Sequence, residues 1–513
     1  MTRQRPVPVS PATDSSSPSS ALSRRAFVTA TIATGMTLAG CNRSPAPNAG
    51  LAAAINAAEA ARPHSGRTVS AALTPQPATI DLGGPTVRTL AYGAAVPGPV
   101  IRANVGDELA VTVANRLDHS TSVHWHGITL RNDMDGAAPA TPDIGAGRDF
   151  TYRFSVPHSG TYWAHPHTGL DADYGLYLPV IVDDPAEPSR YDAEWIVVVD
   201  DWSDGIARSP RQIFNDLRRP PPDPNGDMPG MGGMPGPRAS RASALLGGDA
   251  GDVSYPLYLI NGRIPASPST FGAKPGQRIR LRIINAGADT AFRVALAGHP
   301  MTVTHTDGYP VQPTVVDAVL VGMGERYDAV VTAGDGVFPL VALAEGKNAL
   351  ARAILSTGAG DAPDPGYQPP ELQARVGTVD MFTATPDVDI GPAKPDTRLS
   401  ANLGGSMTDY VWTINGQPYP QSRPLAVGQG QRVALTFVND GARMWHPMHL
   451  HGHTFQVIKP DGSRGARKDT VIVLPSQKVT VELLADNPGV WMLHCHNTYH
   501  QEAGMMTRLD YAT

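Results

Sequence analysis

The stretch His494-Cys495-His496, followed by His500 and Met505, restricts the chemistry of this chain more than any other part of its sequence. On an extended strand, alternate side chains point to opposite faces. His494 and His496 are therefore expected on one face and Cys495 on the other, so that two metal centres can lie on the two sides of one strand. A thiolate, imidazoles and a weak thioether form the ligand set of a blue-copper electron-transfer site. The stretch predicts such a site, with Cys495 bonded through the chain to both histidines of a second centre.

The other histidines cluster in a similar way. Ten of the sixteen histidines fall into four short motifs, which are the stretch above, His124-Trp-His126, His165-Pro-His167 and His446-Pro-Met-His449-Leu-His451. One His-x-His pair can be a coincidence of a surface or a core, but four such motifs with the Cys and Met spacing indicate metal binding. Imidazole also suits zinc, although closed zinc sites usually need several cysteines. The chain has two cysteines, Cys41 and Cys495, which disfavours zinc.

The body of the chain, from about residue 65 to residue 513, is predicted to be all-β. It is rich in glycine and proline, low in charge and made of short alternating or β-branched runs, a pattern that favours β-sandwiches over helices. A template of a glycine turn, a strand and a closing asparagine occurs three times, at residues 106–115, 276–285 and 430–439. This repetition predicts three similar sandwiches, which we place at residues 65–185, 186–365 and 366–513.

The first and third copies carry histidine pairs at equivalent places, and the second does not. In the first and third copies, a His-x-His pair follows the repeated glycine by about 20 residues, whereas the second copy has Val294 and Leu296 there. A later pair falls five and seven residues after a glycine in the same two copies, after Gly160 and after Gly489. The simplest arrangement buries one cluster of eight histidines between the first and third domains, with the middle domain as a spacer or lid.

Residues 1–40 are predicted to be an export signal. Ser23-Arg-Arg-Ala-Phe-Val28 is similar to a twin-arginine signal, a mildly apolar run covers residues 26–39, and Leu38-Ala-Gly-Cys41 is similar to a bacterial lipobox. The alternative is an N-terminal helix with a chance arginine pair. The apolar run is too short to span a membrane as a mature helix. We expect a mature chain that begins at Cys41, is anchored by lipid in the cell envelope or periplasm, and has a flexible tether over residues 41–64.

The charge of the mature chain argues against nucleic acid as a partner. Residues 1–40 carry a net charge of +3, so the formal net charge of −6 becomes −9 without them. An acidic protein without a basic patch has no reason to bind nucleic acid, and it attracts small cations weakly. We expect it to act as a monomer.

On these motifs, the chain resembles the three-domain multicopper oxidases of the laccase type over essentially its whole mature length. It is most similar to the lipoprotein multicopper oxidases of mycobacteria and related actinobacteria, which are associated with copper tolerance. The resemblance implies three cupredoxin-like Greek-key domains and four copper ions. It assigns the type 1 copper to His446, Cys495, His500 and the axial Met505, and the type 2 copper to His124 and His449. It assigns the type 3 pair to His126, His165, His167, His451, His494 and His496.

The same resemblance implies an oxidoreductase with dioxygen as the electron acceptor. A substrate gives one electron at a time to the type 1 copper, Cys495 passes each electron through His494 and His496, and four electrons reduce dioxygen to two waters. Holding three coppers together is a templating and charge-stabilising use of metal ions.

Protons must also reach the oxygen. Asp135 occupies a place where the family often carries an acid near the cluster, although an Asp-Gly pair is equally an ordinary turn. Several bacterial relatives carry Glu directly after the second type 1 histidine, where this chain has Gln501, with Glu502 next. Glu502 is therefore either a candidate for proton transfer or an ordinary surface carboxylate.

The sequence contains soft candidate ligands for a cuprous substrate. Met228, Met231 and Met234 lie in a Pro/Gly-rich loop at residues 218–240, and thioethers favour Cu(I) over harder ions. A linker in which methionine fills space is the alternative. Met444 matches a family position beside the type 1 copper, where a core methionine would look the same. Ala442 stands where some copper-tolerance oxidases carry an acid, which argues against an identical cuprous site.

Three functions are compatible with this sequence. The first is an oxidase of Cu(I), serving copper detoxification, and of Fe(II). The second is a laccase-like oxidase of phenols. The third is a membrane-tethered copper buffer without enzymatic activity, which the complete oxygen-reducing cluster disfavours because storage needs no thiolate between two centres.

Overall fold

The computed structural model describes residues 49–187, 191–219, 242–440 and 444–512. The first sandwich follows a helix, α1 (Ala49–Ala60), and contains a 3-10 helix at Asn132–Met134. Its strands β1 to β9 lie at Thr68–Leu73, Pro75–Asp81, Thr86–Tyr92, Ile101–Asn104, Glu108–Ala114, His124–His126, Asp149–Ser155, Gly160–His165 and Leu178–Asp183. One sheet has the strand order β1-β5-β7, the other has the order β4-β9-β8-β6, and β2 pairs with β3.

The middle sandwich consists of two larger sheets. It contains a helix, α2 (Pro210–Leu217), and 3-10 helices at Ala244–Leu246, Pro370–Gln373 and Val379–Met381. Strands β10 to β23 lie at Ala193–Trp202, Ala242–Ser243, Gly248–Asp249, Leu257–Ile260, Thr270–Gly272, Arg278–Asn285, Phe292–Leu296, Met301–Thr306, Tyr309–Val316, Ala318–Val321, Arg326–Thr332, Val337–Ala344, Ala349–Ser356 and Val376–Gly377. The sheet orders are β13-β10-β15-β20-β17-β18 and β14-β22-β21-β16-β19-β23, and β11 pairs with β12.

The third sandwich has the same two-sheet plan. Strands β24 to β34 lie at Thr397–Ser406, Val411–Ile414, Leu425–Val427, Arg432–Asn439, His446–Leu450, Phe455–Ile458, Arg464–Lys468, Thr470–Val473, Gln477–Leu484, Val490–Cys495 and Met506–Tyr511, with α3 at Thr498–Glu502. The sheet orders are β25-β24-β27-β32-β29-β30 and β26-β34-β33-β28-β31. The predicted all-β class is confirmed.

The repeated template corresponds to the same strand in each sandwich. These strands, β5, β15 and β27, each pair in parallel with an earlier strand and antiparallel with a later one. Each template ends in an asparagine, and the side chains of Asn115, Asn285 and Asn439 donate from Nδ2 to two backbone carbonyls. One carbonyl lies four or five residues further along the chain and the other 29 to 36 residues further. Because a buried amide must be hydrogen-bonded, the asparagine holds two loops of its sandwich together.

The flexible tether predicted over residues 41–64 is wrong for its described part. Residues 49–60 form α1, in which Leu51 is 9% exposed and Ile55 is 4% exposed. The Glu59 carboxylate accepts from the backbone N–H of Ser155 at 2.9 Å. Alanine has the highest helix propensity, so a run rich in alanine becomes a helix once an apolar side can be buried. Among the described residues, no helix is long and apolar enough to cross a lipid bilayer.

The structure also moves one predicted domain boundary. The sheets of the first and middle sandwiches are separated between Asp183 and Ala193, but the boundary that we placed near residue 365 is too early. β23, at Val376–Gly377, pairs with β19 and belongs to the middle sandwich. A two-residue edge strand after a Pro/Gly-rich segment has no hydrophobic pattern by which sequence analysis can assign it.

Candidate metal centre

The predicted ligand pairs lie on neighbouring strands of the first and third sandwiches. β6 pairs with β8, so His124 lies opposite His165, and β28 pairs with β33, so His449 lies opposite His494. Trp125 is fully buried in the hydrophobic core of the first sandwich. Because side chains alternate along a strand, the two histidines beside Trp125 point away from that core.

Eight histidines of these two sandwiches meet in one cluster, in which His167 is half-buried and the other seven are buried. Their ring nitrogens form three groups within which all atoms lie within 4.8 Å of one another, namely His124 with His449 and His451, His126 with His165 and His496, and His167 with His451 and His494. In the last group, Nε2 of His494 lies 3.1 Å from Nε2 of His451 and 3.2 Å from Nε2 of His167. Two nitrogens bound tetrahedrally to one metal ion at about 2.0 Å lie about 3.3 Å apart. The observed spacing therefore fits imidazoles that share a metal ion.

The protonation and pairing of these rings also fit metal ions. Burial lowers the pKa of most of the predicted histidine ligands well below the usual value, which applies to His126, His165, His167, His446, His451, His494 and His496. Nε2 of His124, His165 and His449 is buried without a hydrogen-bond partner among the described residues. Buried polar atoms are normally paired, and histidine binds metal in its neutral form. Unpaired, neutral imidazole nitrogens at metal-binding spacing fit copper ions.

A fourth group contains the cysteine. Sγ of Cys495 lies 3.6 Å from Nδ1 of His446 and 3.6 Å from Nδ1 of His500, and the two Nδ1 atoms are 3.1 Å apart. These side chains and that of Met505 are fully buried. Burial raises the pKa of the Cys495 thiol above its usual range, so a metal ion must displace the proton when it binds. One cysteine and two histidines with a methionine nearby fit the donor set of a type 1 copper.

Asp135 lies at the histidine cluster. Its Oδ2 lies 2.8 Å from Nδ1 of His451, and its backbone carbonyl accepts from Nδ1 of His124 at 2.8 Å. The side chain is fully buried, and burial raises its pKa while His124 opposes the rise. The residue ends the turn at Asn132–Met134, so both interpretations of the Asp-Gly pair describe part of its environment.

The second candidate acid, Glu502, pairs with a surface side chain. Its carboxylate lies 3.7 Å from Nη1 of Arg211, and its side chain is 28% exposed. Burial raises the pKa of Glu502, and Arg211 opposes that rise. Gln501 is 9% exposed in α3. The structure thus brings Asp135 to the histidines and directs Glu502 towards Arg211.

The remaining predicted residues are less informative. Met444 is 2% exposed and packs in the hydrophobic core, an environment that suits a core methionine. Several predicted residues lie outside the described residues. These are the loop methionines Met228, Met231 and Met234, as well as Ala442, the lipobox cysteine Cys41 and the whole predicted signal.

Sequence analysis missed two carboxylates that contact predicted ligands and an arginine that pairs with one of these carboxylates. Oδ1 of Asp469 lies 3.1 Å from Nε2 of His126, and Arg326 lies against Asp469. Although burial alone would raise it, Arg326 holds the pKa of Asp469 well below its usual value. Oδ2 of Asp252 lies 3.1 Å from Nε2 of His500. None of the three lies in a histidine motif. Arg326 and Asp469 are charged residues within or next to a strand, whereas Asp252 lies in a loop that gives no such signal.

Comparisons with known proteins agree with this geometry. Family models described as multicopper oxidase match residues 75–187, 238–360 and 392–513. The chain is 65% identical to multicopper oxidase MmcO of Mycobacterium tuberculosis, covering 95% of this chain and 96% of that protein. It is 29% identical to copper resistance protein A of Escherichia coli, covering 80% and 87%. A solved laccase from Botrytis aclada superposes with a TM-score of 0.70 at 25% identity, covering 88% and 89%.

The chain therefore belongs to the multicopper oxidase family and is an oxidoreductase that uses copper and dioxygen. The predicted family, the cupredoxin-like domains and the type 1, type 2 and type 3 copper cofactors are confirmed. When bound, the copper ions accept electrons singly from a substrate and supply four to dioxygen.

The protein's own residues connect, shield and orient the two centres. Cys495 is bonded through the backbone to His494 and His496, so a short covalent path joins the two groups. Full burial of the Cys495 and His494 side chains excludes bulk water from this path. The carboxyl group of Asp135 can hold a proton beside Nδ1 of His451. The Cys495 group and the histidine cluster are thus linked through a single strand, β33, and the residue that follows it.

Proposed function

We propose that this multicopper oxidase oxidises Cu(I) to Cu(II) as a protection against copper and also oxidises Fe(II). The observation that carries the proposal is that Cys495 lies between His494 and His496 of the histidine cluster, because storage of copper does not require a thiolate between two centres. We assign type 1 copper to His446, Cys495, His500 and Met505, type 2 copper to His124 and His449, and the type 3 pair to His126, His165, His167, His451, His494 and His496.

Electrostatics near the electron-entry side support a cationic substrate. The carboxylate of Asp252 lies 3.1 Å from Nε2 of His500 and accepts from the Tyr410 hydroxyl at 2.7 Å. A carboxylate at the Nε2 edge of His500, opposite the Nδ1 edge that faces Cys495, attracts Cu(I) or Fe(II) and repels anions. The name of the relative from Escherichia coli, copper resistance protein A, supports a copper ion as the substrate. Met228, Met231 and Met234 would add soft thioethers that favour Cu(I).

Oxidation of phenols is a second candidate activity. Its support is the likeness to the Botrytis aclada laccase, at 25% identity over most of both chains. Asp252 could accept the proton that a phenol loses on oxidation.

We further propose that the protein acts as an exported, lipid-anchored monomer. The twin-arginine motif and the lipobox ending at Cys41 support export and anchoring in the cell envelope or periplasm. All ligand groups are formed within one chain, so no second copy is required for a complete site.

Oxygen consumption tests these proposals. The purified protein should be blue when loaded with copper, and oxygen uptake should be measured with Cu(I), Fe(II) and a phenol in turn. The measurements are repeated after Met228, Met231 and Met234 are replaced by serine. We expect the triple variant to lose Cu(I) oxidation selectively and to keep phenol oxidation. Unchanged Cu(I) kinetics would remove the loop from the mechanism, and a colourless protein filled with zinc would refute the copper assignment.

A further inference from the structure

Arg326, at the start of β20, is a fully buried residue of the sandwich to which no copper ligand is assigned. Its Nη1 and Nη2 donate to the two carboxylate oxygens of Asp469, in the third sandwich, at 2.7 and 2.6 Å. Its Nε donates to the carbonyl of Thr161, in the first sandwich, at 3.0 Å, and Nη1 also donates to the carbonyl of Gly324 at 3.1 Å. The guanidinium therefore joins all three sandwiches at one point.

Asp469 in turn orients imidazoles from two sandwiches. Its Oδ1 lies 3.1 Å from Nε2 of His126 and 3.4 Å from Nδ1 of His449, and its carbonyl lies 2.9 Å from the same Nδ1. When one ring nitrogen is held by a carboxylate or carbonyl, the ring orientation is set and the other nitrogen is free to bind metal. Those other nitrogens are Nε2 of His449, which is unpaired, and Nδ1 of His126, which lies 3.2 Å from Nε2 of His496.

A second carboxylate fixes the Arg326–Asp469 pair from the other side. Oδ1 of Asp307 accepts from the backbone N–H of Arg326 at 2.8 Å. Oδ2 of Asp307 accepts from the backbone N–H groups of Asp469 and Thr470 at 3.2 and 3.1 Å. Both partners are thus held by their side chains and by their backbones, which leaves the pair little freedom to move.

Two glycines allow this close approach. At Gly127, which directly follows His126 and has a φ of +87°, an added Cβ would lie 2.2 Å from Nη2 of Arg326 and 2.6 Å from Oδ2 of Asp469. At Gly324, with a φ of +84°, an added Cβ would lie 2.7 Å from the ring of His496. Any side chain at either position would displace the pair or the imidazole.

We propose that Arg326 is a positioning residue for the trinuclear copper cluster, acting through Asp469 on His126 and His449. The middle sandwich would then be a working part of the metal site and not only a spacer. A bidentate guanidinium fixes the distance and the plane of a carboxylate, which a lysine ammonium does not. The inference rests on the ligand assignment in the proposed function.

The test compares Arg326→Gln and Arg326→Lys with Arg280→Gln as a matched control. Arg280 is also a buried arginine of the middle sandwich, and its ion-pair partners, Asp328 at 2.6 Å and Glu187 at 3.1 Å, are not predicted ligands. Copper content, the electron paramagnetic resonance signal of type 2 copper, the blue absorption of type 1 copper and retention of copper against a chelator are measured. Circular dichroism and thermal unfolding report folding.

We expect Arg326→Gln to weaken copper retention in the cluster by about 10- to 100-fold and to lose the type 2 signal while the protein stays blue. The copper retention of Arg326→Lys should lie between that of Arg326→Gln and that of the wild type. Arg280→Gln should keep the type 2 signal even if its melting temperature falls. Equal copper retention in the Arg326 and Arg280 variants would overturn the inference. Failure of both Arg326 variants to fold would assign Arg326 a purely structural role and would overturn it as well. Absence of type 2 copper from the wild type would instead contradict the ligand assignment.

Discussion

Replacing Asp135 by asparagine should slow oxygen reduction without affecting electron entry. The Asp135 carboxylate lies 2.8 Å from Nδ1 of His451 and 3.3 Å from Nδ1 of His124, in a fully buried environment. Asparagine has the same size, but it carries no charge and cannot take up a proton near neutral pH. Loss of one charge-assisted hydrogen bond costs about 1.5–3 kcal/mol, which corresponds to about a 10- to 100-fold lower kcat for oxygen uptake.

The two candidate acids provide matched variants for the assay. Glu502 is 28% exposed and faces Arg211, and an exposed ion pair contributes about 0–1 kcal/mol. Glu502→Gln should therefore change oxygen uptake by less than about fivefold. Anaerobic bleaching of the blue colour by substrate measures electron entry, and it should be unchanged in Asp135→Asn because the type 1 residues are not contacted. Equal slowing by the two variants, or normal turnover of Asp135→Asn, would refute the reasoning.

Three further predictions concern the type 1 site, acid stability and the N-terminal helix. Cys495→Ser should abolish the blue colour and oxygen uptake, since a hydroxyl does not replace the thiolate, and residual oxygen uptake would contradict the route through Cys495. Burial alone would raise the pKa of Asp328, but Arg280 and Arg282 together lower it to about 2. The stability that ionised Asp328 contributes should therefore be present above pH 4 and be lost as the pH falls towards 2. Over this range, the free energy of unfolding of the copper-free protein in urea should fall by about 2 kcal/mol. Asp328→Asn should lack this fall, and the same dependence on pH in the variant and the wild type would contradict the assignment. Ile55→Ala should lower the free energy of unfolding by about 2–4 kcal/mol and speed proteolysis around α1, while the copper content stays unchanged. Loss of copper from this variant would contradict the prediction and would show that α1 supports the metal site.

The histidine motifs and the repeats allowed a large part of the fold and the site to be predicted. A strand alternates its side chains with a fixed period, so His494, Cys495 and His496 could be distributed over two faces from the sequence alone. The repeated glycine-to-asparagine template showed three related sandwiches, because each copy needs the same buried asparagine. Both signals are local in the chain, which is why they could be recognised.

One error overlooked a local signal, and the omissions arose where contacts are distant in the chain. The alanine-rich run at residues 49–60 favours a helix, and burial of Leu51 and Ile55 stabilises it. The choice between Asp135 and Glu502 depended on which carboxylate contacts the imidazole of His451. Asp135 makes this contact across a separation of 316 residues in the chain. No pattern within either segment contains that information.

By itself, the sequence determined the all-β class, the threefold repeat, the two ligand-bearing domains and the chemistry of copper, since ligand type and strand period are local properties. Only the tertiary structure decided how the eight histidines divide into groups, that Asp135 faces the cluster, and that Arg326 of the ligand-free sandwich reaches Asp469 beside His126. These features depend on the packing of three sandwiches against one another, and the energies that decide such packing come from burial and pairing across long chain separations.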